Sequence, residues 1–133
     1  MSVLLDTHVW VWWLTGESPL AMAERRALDR LAEKRSLAIA AISLWEVQML
    51  HAKGRLALPV SFAEWLGLAT QESLITVLPL DVDVVLALHA LPASFHGDPA
   101  DRVIVATARA LRMPLATRDE VIRRSRLVSL WRP

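Results

Sequence analysis

Cysteine is absent from all 133 residues, which excludes disulfides, zinc–cysteine sites and thiol nucleophiles. Any bound metal must then take oxygen or imidazole ligands, and an oxygen-rich set favours Mg²⁺ or Mn²⁺. The four histidines, His8, His51, His89 and His96, are too scattered for a zinc-type pattern. No apolar run reaches the roughly 18 residues that a membrane-spanning helix requires. The opening MSVLLDTHVWVWWL lacks the basic segment of a signal peptide and is interrupted by Asp6 and His8. A cytoplasmic protein without membrane association is expected. Repeats, low-complexity tracts and linker-like stretches are also lacking, so one domain over residues 1–133 is the simplest organisation.

Hydrophobic residues, by contrast, reach 54%, above the usual range for a globular domain. The excess suggests surface that a partner or a second copy covers. The net charge of +1 conceals an asymmetry. Residues 101–133 carry eight Arg against three acids, and residues 1–100 carry seven Lys or Arg against eleven acids. A basic C-terminal third is suited to a phosphate backbone, although an Arg-rich solvated helix face has the same composition.

The chain alternates short apolar runs with helical patterns. Val3–Leu5, Leu37–Ile42, Ile75–Leu80, Leu115–Thr117 and Leu127–Trp131 read as strands. His8–Leu14 and the charged stretch Leu20–Lys34 read as helices on either side of a break at Thr15–Pro19. Ser43 with Glu46, and Ser61 with Glu64, have the spacing of capping boxes. Gly54 is placed to end the first of these helices. Asp81 caps a helix that Pro92 stops, and Asp98-Pro99 opens another that runs to about Arg112. Asp119 opens a last short helix. Continuous apolar strands alternating with helices predict an α/β fold: a three-layer sandwich around a mostly parallel sheet.

In such folds ligands bind beyond the carboxyl ends of the strands. Asp6 follows the first strand, Ser43 and Glu46 the second, and Asp119 follows Leu115–Thr117. Asp98 and Asp101 open the helix just before that strand. Asp6 is the only charged side chain of the Asp, Glu, Lys and Arg type in the first sixteen residues, and Glu46 is the only acid between Glu33 and Glu64. A carboxylate beside an apolar core costs several kcal/mol unless it is paired or metal-bound. A divalent cation would offset that cost for the whole group. Each acid taken singly also reads as a helix cap or turn residue; the joint placement at strand ends is what points to a site. Asp6 and Asp101 are the first-choice metal ligands. Glu46 and Asp119 complete the shell, and Ser43 and Thr117 support it by hydrogen bonding. One or two Mg²⁺ held in this way suit phosphodiester hydrolysis. His96, near Asp98, is a candidate for the site's edge, the C-terminal Arg residues are candidates for backbone binding, and Trp10, Trp12, Trp13 and Trp45 read as core or interface rather than base-stacking residues.

LLDTHVWVWWL at Leu4–Leu14, AISLWEV at Ala41–Val47, HGDPADRVIVATA at His96–Ala108 and LATRDE at Leu115–Glu120 together resemble PIN-domain toxins of the VapC type, in order and in spacing, over nearly the whole chain. The resemblance implies a PIN-like three-layer α/β/α sandwich and a Mg²⁺- or Mn²⁺-dependent endoribonuclease acting on RNA. It also implies a neutralising VapB-type antitoxin and a homodimer. The family's four acids fall on Asp6, Glu46, Asp101 and Asp119. Asp98 is an extra acid of the DPxDR subgroup and a secondary candidate for the metal site, and Ala100 stands where that subgroup often carries an aromatic. Two other readings share part of this pattern. A dehalogenase-like phosphatase also opens with an apolar strand ending in Asp, but here His8 occupies the position of its second Asp, and only Lys34 and Lys53 are available for its lysine. A non-catalytic binding module would use the acids as caps and the apolar excess as an interface.

Overall fold

The computed structural model describes residues 2–17 and 19–133, so Ser18 of the expected break lies outside the described residues. Val3, Leu4 and Leu5 are buried without exception and form β1 (Val3–Leu5). On one side β1 pairs with β2 (Leu37–Ala40), which pairs with β3 (Thr76–Leu78); on the other it pairs with β4 (Leu115–Ala116). All the pairings are parallel, in the order β3-β2-β1-β4. Side chains alternate across the sheet. Val3, Leu5, Leu37, Ile39 and Ala116 enter one core, and Leu4, Ala38, Ala40 and Leu115 enter the other. The first core is closed by α1 (Thr7–Thr15), α2 (Met22–Glu33), α3 (Ile42–Ala52) and α4 (Phe62–Ala69), through Trp10, Leu28, Val47 and Trp65. The second is closed by α6 (Pro99–Leu111) and α7 (Glu120–Ser125), through Ile104, Val105 and Ile122, with α5 (Val82–His89) packed on α6. This is the expected three-layer α/β/α sandwich. Among the described residues no helix is long and apolar enough to cross a membrane.

The chain leaves β1 toward β2 and later crosses to place β4 on the opposite side of β1. The strand order therefore reverses beside β1, where α/β sheets open a ligand crevice at their carboxyl edge. Local signals set the helices that face this crevice. Asp98 accepts a hydrogen bond from Asp101 N at 2.8 Å, with Pro99 in the first helical turn of α6. Asp119 accepts from Ile122 N at 2.9 Å to start α7. Gly16, at φ 77°, ends α1 in a left-handed conformation that other residues adopt only with strain.

Two expectations are corrected. Leu127–Trp131 is not a strand: a single parallel bridge joins Leu130 to Leu115, with Leu115 N donating to Ser129 O and Trp131 N donating to Leu115 O. β4 is only two residues long and offers no longer ladder. Ser43 is not a helix cap either. Ala41 already has helical angles (φ −55°, ψ −30°) and is the N-cap residue of α3, which leaves Ser43 inside the first turn.

α7 has six residues and is too short to persist alone. Its hold on the domain is Ile122, fully buried in the second core. Ile122→Ala is expected to cost about 2–4 kcal/mol, read as a lower urea midpoint with an unchanged slope.

Candidate active site

β1 and β4 lie in register, Leu4 against Leu115 and Leu5 against Ala116. The next residues on each strand, Asp6 and Thr117, therefore meet at the carboxyl edge. Asp6 N donates to Ala116 O at 2.9 Å, and the Thr117 hydroxyl donates to Asp6 Oδ2 at 2.6 Å. The other carboxylate oxygen, Oδ1, accepts from Thr7 N at 2.8 Å. Asp6 is only 4% exposed. Thr117 also accepts from Asp119 N at 3.0 Å, so one hydroxyl orients two of the acids expected at this edge.

Glu46 approaches from α3. Its carboxylate does not complete a capping box; it accepts a hydrogen bond from the Thr7 hydroxyl. A threonine hydroxyl has a single proton. With that proton given to Glu46, the 2.8 Å contact between the Thr7 and Ser43 hydroxyls must run from Ser43 to Thr7. Ser43, Thr7 and Glu46 thus form a directed chain, and Ser43 and Thr7 are both fully buried. Sequence reasoning missed Thr7. Its signal was a hydroxyl immediately after the buried Asp6, between an apolar strand and an apolar helix.

Asp101 enters from the first turn of α6 and is half-buried. Gly97, just before the helix, is held close to it. A Cβ at Gly97 would stand 2.7 Å from the Phe95 ring and 3.2 Å from Asp101 Cβ. Ala100, at the position where an aromatic was expected, is itself buried.

Electrostatics show these acids to be one group. Burial pushes the Asp6 and Glu46 carboxyls upward, opposed by the hydrogen bonds from Thr117 and Thr7 respectively. Asp101 is raised to about 7, first by burial and then by the negative charges of Asp98, Asp6, Asp119 and Glu46. Among the described residues none of these five carboxylates forms an ion pair. The histidine whose charge reaches Asp6 and Glu46 is His8, its ring tilted against Trp12 with centroids 5.8 Å apart, and not His96. His96 lines a separate cleft with Phe95, Val121 and Arg124. Trp10 is fully buried core, whereas Trp45 is half exposed.

The donor set suits a hard divalent cation: all oxygen, without cysteine, and with negative charge that no ion pair among the described residues offsets. Among the described residues no three acidic or imidazole side chains, as they stand, are placed to hold a metal ion together. Protein donors hold Asp6, Glu46, Asp98 and Asp119, and like charges keep the group apart. A cation would have to draw at least some of these side chains inward.

Asp101 titrates near 3.8 when unperturbed and about 7 in the fold. The folded state therefore binds the extra proton, and stability falls as pH rises between those values. Without divalent ions, Asp101→Asn is expected to match the parent near pH 4 and to exceed it at pH 8. The gain, reduced for solvent screening, is about 1–2 kcal/mol, or a Tm rise of about 3 °C or more. Thermal melts across that pH range in chelator measure it.

Comparison with known proteins agrees with this geometry. The PIN domain family matches residues 3–126. Ribonuclease VapC22 of Mycobacterium tuberculosis is 38% identical over 98% of both chains. The crystal structure of VapBC2 from Rickettsia felis, bound to a DNA fragment from its promoter, superposes with a TM-score of 0.75 at 18% identity, covering 98% of each chain. A toxin–antitoxin complex from Klebsiella pneumoniae superposes at 0.62 and 22% identity, covering 89% of this chain and 87% of the other. At those identities the two structures bear on the fold alone. The three-layer sandwich and the full-length match to a VapC ribonuclease agree, and the chain belongs to the PIN-domain family, on its VapC branch.

Proposed function

We propose that this chain is a divalent-metal-dependent endoribonuclease and the toxin of a toxin–antitoxin pair. The observation that carries the reading is the set of acids, without an ion pair among the described residues, that four segments deliver to the β1/β4 crevice. In this reading Asp6 and Asp101 hold a Mg²⁺ or Mn²⁺ ion, Glu46 and Asp119 complete its surroundings, and Asp98 lies close enough to share the charge. The bound cation supplies the positive field that activates water and stabilises the leaving oxygen of a phosphodiester.

The remaining work falls to the chain itself. Thr117 fixes Asp6 and the backbone of Asp119 together. Ser43, through Thr7, fixes Glu46. These outer contacts restrict how the carboxylates can turn when a cation draws them inward. An acid raised to about 7, such as Asp101, is also easily relieved of its proton by an incoming cation.

The partners follow from the same resemblance. An antitoxin is supported by the toxin–antitoxin complexes among the structural relatives. A homodimer is supported by the apolar surface around α5, where Leu80, Val82, Val85 and Leu86 are exposed.

Antitoxin-free protein is expected to cleave total RNA with Mg²⁺ or Mn²⁺ and to stop in chelator. Asp6→Asn should lower the rate by about 100-fold or more while keeping the fold, as judged by circular dichroism. Full activity in that variant would refute the assignment. Absence of cleavage, together with no metal-induced rise in Tm, would favour a non-catalytic binding module.

A further inference from the structure

A group of five carboxylates repels a polyanion. The affinity for RNA must therefore come from cations outside it, close enough to hold the strand while one phosphate enters. The structure sorts seven of the eight arginines of the C-terminal third by this criterion; the eighth, Arg126, is the left-handed C-cap residue of α7. Arg102 donates to Phe95 O and lies over the Phe95 ring. Arg124 pairs with Glu120 at 3.6 Å. Arg109 and Arg112 line a cleft with Met113 and Ser129, near the C-terminus of α6 and the amino end of β4, on the far side of the sheet edge from the acids. Three others, Arg118, Arg123 and Arg132, converge on a different cleft of about 340 Å³.

That cleft shares a wall with the candidate active site. Thr117, whose hydroxyl donates to Asp6, lines it. Arg118 stands between Thr117 and Asp119 in the chain and is tied to Glu24 and Pro19 O. Arg123 is one helical turn beyond Asp119, about 6 Å along the axis of α7, on the scale of one nucleotide step. Arg123 and Arg132 form no ion pair among the described residues. Half-buried Trp131 forms an apolar wall of the cleft.

We infer that the cleft between Thr117, Arg123 and Arg132 is a subsite for a backbone phosphate of single-stranded RNA, next to the phosphate at the carboxylate group. The inference rests on the ribonuclease reading above. Arg123 and Arg132 present unpaired guanidinium forks to the phosphate oxygens. Arg118, held by Glu24, shapes the wall between the two positions. Contacts of this kind position the strand without reading its sequence.

The test is fluorescence-anisotropy titration of a labelled single-stranded RNA in chelator, at several salt concentrations. The proteins are the parent, Arg123→Ala with Arg132→Ala, and Arg109→Ala with Arg112→Ala. The first pair should weaken binding about tenfold, equally for unrelated sequences, and flatten the salt slope by about 0.7 per arginine. The second pair should bind like the parent. Equal affinity and slope in the Arg123/Arg132 pair would overturn the subsite, and metal-dependent cleavage by the parent would leave the nuclease reading standing. A parent that neither binds nor cleaves RNA would overturn both. An Arg123/Arg132 pair that binds RNA normally but no longer binds a Glu/Asp-rich peptide would assign the cleft to an acidic protein segment instead.

Discussion

The hydrogen bond from Thr117 to Asp6 closes the carboxyl ends of β1 and β4 over one another, and the site is built outward from it. The parallel register brings the two residues together. The reversal of strand order beside β1 leaves room in front of them. Asp6 then has both oxygens directed by the protein, one toward Thr7 N and one toward Thr117. Each of these partners orients a second acid: Thr7 holds Glu46, and Thr117 receives Asp119 N. Two threonines thus couple three carboxylates from three elements. A shift of β4 relative to β1 would disturb all three.

This arrangement opposes the stability of the metal-free fold. Asp6, Glu46 and Asp101 are all pushed toward the protonated form by burial, and Asp101 also by its neighbours' charge. Hydrophobic closure on both faces of the sheet, with Trp10, Ile104 and Ile122 fully buried, sets against that cost. Local strain at a site, offset by packing elsewhere, is common where chemistry is done. The charge that destabilises the free protein is the charge that would bind a cation.

Much of this was legible in the sequence. The apolar runs Val3–Leu5 and Leu37–Ile42 announced buried parallel strands, and Asp98-Pro99 and Asp119 announced helix starts that the structure contains. Asp6 and Glu46 stood out by isolation in apolar surroundings. What stayed hidden depended on contacts distant in the chain. The spacing of Ser43 and Glu46 fits a capping box, yet Ala41 starts the helix earlier and Thr7, 39 residues from Glu46, takes its carboxylate. The place of Thr7 directly after Asp6 was the one local sign of its role. Leu127–Trp131 has strand composition, but its neighbour β4 is too short to extend a ladder. Net charge marked the C-terminal third as basic without showing that five of its arginines part between two clefts.

The most direct test of the central claim, that these carboxylates form one cation site, is anomalous diffraction from crystals of the antitoxin-free protein soaked in Mn²⁺. The expected result is a peak in the β1/β4 crevice, with oxygens of Asp6 and Asp101 drawn to it and Glu46 and Asp119 around it. Crystals with ordered side chains at this site and no Mn²⁺ peak, or with the ion bound elsewhere on the chain, would contradict it.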